Sequence, residues 1–296
     1  MRREVRGALL LATAGLLWGS TFLVMQRAIE TAEPVPFLGA RFLIAAAALA
    51  PLALRRPSSG GGEVRLGVLA GLVLASAYLL QTFGLRATTT STSAFVTYLL
   101  VVIVPLMVGV TERTWPGRRL VVGVALAVGG LWLLSGSGGD AFDWGEVLTL
   151  GCAVAFAGHL VVVGRTTERL DPVRFTFVQV LTVGAVCAVP GLWLGGYDLG
   201  AGAWVAALFT GLLATSVAFL CMVAGQRTVP SSRAALILLV EPVSAAVLGV
   251  ATGEELGWRG LAGAALILAA ILTVEVLPLL RGDVTDDPAV EPTVHG

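Results

Sequence analysis

The chain has 296 residues, is 56% hydrophobic and 13% charged, and carries a mean hydropathy of +0.89 with a formal net charge of zero. Soluble domains hold about 25% charged residues, so this composition excludes an ordinary soluble fold and points to an all-α polytopic membrane protein. The balanced charge argues against a nucleic-acid partner.

Apolar segments of about 20 residues, the length that crosses a bilayer, predict ten helices at roughly 7–26, 35–54, 66–85, 92–111, 118–136, 144–164, 173–195, 202–225, 233–252 and 258–278. The charged start, residues 1–6, followed by an apolar run, imitates a signal peptide. The run continues to Val24 without a small-residue cleavage site, so it is expected to be the first membrane helix behind a cytoplasmic N-terminus. Breakers mark the connections: Glu33-Pro34, residues 57–62, Trp115-Pro116-Gly117, residues 136–139 and Gly195-Gly196. The acidic, proline-containing tail 282–296 is expected to be disordered. Cys152, Cys187 and Cys221 fall within apolar stretches without metal or CxxC spacing, as small core residues do.

All nineteen basic residues are arginines. With the N-terminus inside, alternate connections hold fifteen of them on one side and only Arg27, Arg86 and Arg259 on the other, leaving Arg41 within the second helix. That asymmetry fits the positive-inside rule with both termini in the cytoplasm. The location expected is the cell membrane.

The two halves repeat each other. At a shift of 138, Trp18 matches Phe156, Arg27 matches Arg165, Pro34 matches Pro172, Phe37 matches Phe175 and Arg41 matches Gln179. At a shift of 140, Gly71 matches Gly211, Ser76 matches Ser216 and Ser91 matches Ser231. Five helices per half is odd, so residues 7–136 and 144–278 form two inverted repeats. Secondary transporters are built this way, with broken helices and a site at the repeat interface. Pro105 in the fourth helix and Pro242 in the ninth are helix-break candidates in matching places. Each removes a donor and frees a carbonyl one turn earlier, on Val101 and Leu238.

Trp18-Gly19-Ser20-Thr21-Phe22, Ala94-Phe95 through Val104-Pro105-Leu106, and Leu239-Val240-Glu241-Pro242-Val243 followed by Gly253-Glu254-Glu255-Leu256 resemble the EamA-type family of the drug/metabolite transporter superfamily. The resemblance covers residues 7–278. It implies a ten-helix carrier moving small metabolites, often amino acids or drugs outward, through a central cavity, with helices 5 and 10 peripheral. Val104-Pro105 departs from a Glu-Pro pair, and Phe156 stands where a Trp would complete the symmetry with Trp18.

Glu241 is the first functional candidate. A carboxylate mid-span costs about 2.5–3.5 kcal/mol on insertion scales, and it can be proton-linked, bind a substrate cation, or bond neighbouring helix ends. Arg41 can fork onto a substrate carboxylate, snorkel outward, or pair with another helix. Gln179 could form a polar pair with it across the repeat. His159 can be a satisfied core group or handle protons. Trp18, Tyr78, Gln81, Thr97 and Tyr98 can line a cavity or simply pack. Gly67 and Gly71 suit close helix packing, as do Gly260, Gly263 and Ala264, the last set either between two copies in a homodimer or within one chain.

The expectation is a secondary active transporter of amino-acid-like or drug-like metabolites, an exporter or exchanger using alternating access, with proton coupling open. The expected partners are the small-molecule substrate and the lipid bilayer. No cofactor or enzyme motif is found: the glycine-rich run 136–140 lacks a P-loop lysine. The alternatives are a non-transporting scaffold or channel-like protein and an intramembrane enzyme.

Overall fold

The computed structural model describes residues 2–58, 60, 62–85, 87, 93, 96–113, 115–135, 144–251 and 257–277. The tail 282–296, the run 136–140, Ser91, Ala94-Phe95 and the motif at 253–256 lie outside them. Among the described residues all regular structure is helical, in ten membrane-crossing segments. These are α1 (Arg2–Thr31), α2 (Pro34–Ala53), α3 (Gly62–Leu85), α4 (Leu100–Glu112, led in by helical residues 96–98), α5 (Arg118–Ser135), α6 (Trp144–Thr166), α7 (Pro172–Gly191), α8 (Gly200–Gly225), α9 in two pieces (Ser231–Ile237 and Val240–Ala251) and α10 (Trp258–Ile271).

Several boundaries follow from local chemistry. α2 and α7 each open on a proline at the first helical position, where the missing N–H costs nothing. Asp171 caps α7 by accepting from the Val173 and Arg174 amides at 3.0 and 3.1 Å, whereas its counterpart Glu33 makes no side-chain cap. Gly195 and Gly196 turn the chain after α7 with φ of 99° and 68°, conformations that favour glycine. α1 departs from its expected start: residues 2–6, read as a leading segment, already belong to the helix. Glu4 in its first turn complements the helix dipole, and the polar start projects past the apolar run.

The helix breaks also differ from expectation. They fall before the prolines, at Leu99 and at Leu238-Leu239, which match at a shift of about 140. The Leu238 carbonyl that Pro242 cannot bond is not left open. The Glu241 amide donates to it at 2.9 Å, and the Val102 amide donates to Leu99 in the same way. Each break is therefore a tight turn, and at the second the turn satisfies the carbonyl that the proline leaves. At the second break Leu238 faces the interior of the bundle, while Leu239 is buried against the α5–α10 pair.

The halves interlock. α1 packs on α8 and α9, both from the second half, and makes little contact with α2 or α3. Reciprocally, α6 packs on α3 and α4. Small residues set these crossings: a Cβ on Gly15 would meet the Leu238 carbonyl at 3.2 Å, and one on Gly19 would strike Ser244 and the Glu241 carbonyl. α2 and α7 run antiparallel in extensive contact, and α5 and α10 form a peripheral pair in which Gly130 abuts the Gly263 carbonyl. Gly263 thus serves a contact within the chain. Large apolar side chains such as Leu9, Leu72, Val110, Leu208 and Leu261 are exposed around the bundle, and exposed Trp115, Trp144, Trp193 and Trp258 stand at or just beyond helix ends. A lipid-facing surface with an interfacial aromatic belt has this appearance.

Candidate functional site: a cavity between the halves

A cavity of about 150 Å³ lies between the two halves. Trp18, Arg41, Tyr78, Gln81, Thr97, Tyr98, His159 and Glu241 all line it, although they come from α1, α2, α3, α6, the lead-in to α4 and the second piece of α9. Pro105 and Pro242 are not part of its wall, and Gln179 stands behind it.

Arg41 is 2% exposed, so its charge is held within protein. Its Nε donates to Thr215 Oγ1 at 2.7 Å. Its guanidinium carbon lies 5.6 Å from the Phe42 ring centre and 5.7 Å from that of Tyr78, within cation–π range. The acceptor Thr215 belongs to a π-helical segment of α8, Gly211–Val217. Here the winding loosens to five-residue spacing: Thr215 Oγ1 reaches back to the Thr210 carbonyl and Ser216 Oγ to that of Gly211. The same segment offers the Ala214 carbonyl to Trp18 Nε1 at 2.6 Å, which ties α1 to α8 beside Arg41. Such bulges free backbone acceptors inside a helix and recur at functional sites.

Glu241 enters from the second turn residue after the break in α9. Tyr98 faces its carboxylate, and Tyr78 faces the Arg41 guanidinium, each close enough to act as a hydrogen-bonding partner. A cation and a carboxylate thus share one small cavity and sense each other's charge. Aromatic side chains beside the cavity pack against one another. Trp18 meets Phe219 edge-on at 5.2 Å, Phe42 meets Tyr78 at 5.0 Å, and Tyr78 meets Phe156 at 5.3 Å. The separations favour offset and perpendicular ring contacts.

His159, also 2% exposed, shares a 2.8 Å hydrogen bond between Nε2 and Gln179 Oε1. Gln179 is therefore not half of a polar pair with Arg41 across the cavity. It supports the imidazole from behind.

Thr21, Ser93, Phe219 and Met222 line the cavity too and were not singled out from the sequence. Phe219 and Met222 sit in a helix that is apolar all round, where composition carries no signal for the inward face. Thr21 and Ser93 are small hydroxyl residues of a kind that usually bonds its own helix, as Thr21 does to Leu17. Phe156 was marked only as a departure from a motif. Toward the end of the bundle where α1 begins, side-chain bonds tie α8 and α9 to α6. Gln226 Nε2 and Ser231 Oγ both donate to the Leu160 carbonyl, at 2.8 and 3.1 Å. Nearby, Arg174 Nε pairs with the fully buried Glu63 at 2.9 Å and Arg56 with Asp171 at 3.4 Å. Among the described residues no group of three His, Cys, Asp or Glu side chains is disposed to hold a metal ion.

Two stretches of the chain, 5–136 and 143–275, match the model of the EamA-like transporter family. The chain belongs to this family. An uncharacterized transporter of Archaeoglobus fulgidus is 30% identical to it over 268 residues, covering 90% of this chain and 84% of that one. The uncharacterized transporter YwfM of Bacillus subtilis is 28% identical over 287 residues, covering 92% and 94%. A solved crystal structure superposes with a TM-score of 0.77 at 20% identity, covering 93% of this chain and 98% of the other, and shows the same fold. This EamA-like protein is a multi-pass membrane transporter whose two matched stretches are its inverted repeats.

Proposed function

We propose that this EamA-like transporter is a secondary carrier for a small zwitterionic metabolite of the amino-acid type, held in the cavity between the halves and released by alternating access. The observation that carries this reading is the placement of Arg41 and Glu241 on one cavity that aromatic side chains also line. A guanidinium suits a carboxylate by its planar fork, a carboxylate suits an ammonium, and the rings suit an apolar or aromatic side chain. The arginine asymmetry of the connections supports cytoplasmic termini in the cell membrane. Export or exchange is the direction proposed, with Glu241 as the group that links transport to protons.

Counterflow in proteoliposomes, with amino acids, nucleosides and cationic drugs offered with and without a pH gradient, tests the reading. Saturable counterflow of amino acids is expected, and Glu241→Gln should remove its dependence on the gradient. Flux that neither saturates nor shows counterflow would indicate a channel-like protein. If Glu241→Gln transports with the same pH response as the parent, the carboxylate is structural.

A further inference from the structure

His159 and Gln179 form a second polar pole in the cavity that neither charge explains. Gln179 is wholly buried and presents its Oε1 to His159 Nε2, while its own Nε2 meets no other partner. An amide oxygen can only accept. His159 Nε2 must then be the donor, and in the neutral ring the other nitrogen, Nδ1, is left with a lone pair. Nδ1 bonds no described residue and is not among the sealed, unsatisfied atoms, while the imidazole lines the cavity. The Phe219 ring packs perpendicular to the imidazole at 6.1 Å. The cavity therefore offers a hydrogen-bond acceptor in addition to Arg41 and Glu241.

We propose that His159, positioned by Gln179, is a specificity-determining residue that accepts a hydrogen bond from a hydroxyl or N–H group on the side chain of the substrate. The proposal rests on the carrier reading above and adds to it a preference within the amino-acid class. A neutral hydrogen bond contributes about 0.5–1.5 kcal/mol net, so the preference amounts to roughly 3–10-fold.

Two matched series test it: serine, O-methylserine and alanine, and tyrosine, O-methyltyrosine and phenylalanine. Each is followed by binding-induced thermal stabilisation of the purified protein and by counterflow. A hydroxyl donates, a methoxy group only accepts, and the third member does neither. The expected order is the hydroxyl compound ahead of the other two by roughly 3–10-fold in at least one series. His159→Phe should abolish that difference, whatever it does to the affinity for the unsubstituted member. Gln179→Met, a gentler change that frees the tautomer, should reduce the difference without abolishing binding. Equal binding of hydroxyl and methoxy compounds, or a preference that survives in His159→Phe, overturns the proposal and leaves the carrier reading intact. Failure of every amino acid to bind or exchange overturns both together.

Discussion

Arg41 on α2 and Gln179 on α7 stand at matching places in the two halves, and each has a glycine of the opposite half against its own carbonyl. A Cβ on Gly211 would lie 2.8 Å from the Arg41 oxygen, and one on Gly71 would lie 2.7 Å from that of Gln179. The backbone crossing is thus repeated, yet the chemistry is not. Around Gly71, α3 remains an α-helix and Gln179 turns to hold His159. From Gly211, α8 loosens into a π segment, and that change supplies the hydroxyl that Arg41 bonds and the carbonyl that Trp18 bonds. A duplicated scaffold can therefore acquire a charged pole on one side by altering helix winding, without moving the helices apart.

This contrast can be broken at its strongest point by Arg41→Gln. Loss of a charge-assisted interaction of about 1.5–3 kcal/mol should weaken zwitterion transport by roughly 10–100-fold. Counterflow and detergent-extracted thermal stability measured together distinguish this from misfolding. The symmetry itself is sharpened by Gly71→Ala and Gly211→Ala. Both place a Cβ against a backbone oxygen, and overpacking of this kind costs about 1–3 kcal/mol, so both should lower the melting temperature. For an amino acid with no side-chain hydroxyl or N–H, only Gly211→Ala should also raise the apparent KM, because it displaces the backbone of Arg41. Equal effects on KM would mean that the crossing, not the guanidinium, governs binding. The smallest change is Thr215→Val, which removes the acceptor for Arg41 Nε. Uptake titrations should show a KM increase of about 3–10-fold, the scale of one hydrogen bond, with little change in stability.

Much of this arrangement was legible from residues that are expensive in a bilayer. Arg41, Glu241 and His159 had to be enclosed, and the repeat indicated where enclosure would occur. For Trp18, Tyr78, Gln81, Thr97 and Tyr98 the sequence leaves packing and cavity lining equally open, because an aromatic or amide group in a helix does either, and only the fold places them on the cavity. The exact turn in α9 was not legible. A proline marks a missing donor, but the amide one residue earlier, that of Glu241, supplies the bond instead. The π segment was equally hidden. Gly211–Val217 contains no breaker beyond its first glycine, and its winding depends on partners some 170–200 residues away in sequence, Arg41 and Trp18. Gln179 was recognised as polar, but its partner on α6 could be found only in three dimensions.

The interlocking of α1 with α8 and α9, and of α6 with α3 and α4, also bears on how the chain could be divided. Neither repeat encloses its own first helix, so a polypeptide cut in the connection at 136–143 yields two pieces that each lack the partner groove they were shaped to fill. Coexpressed, they should reassemble, and alone each should be degraded. A half-length chain of this design would be complete only beside a copy inserted upside down.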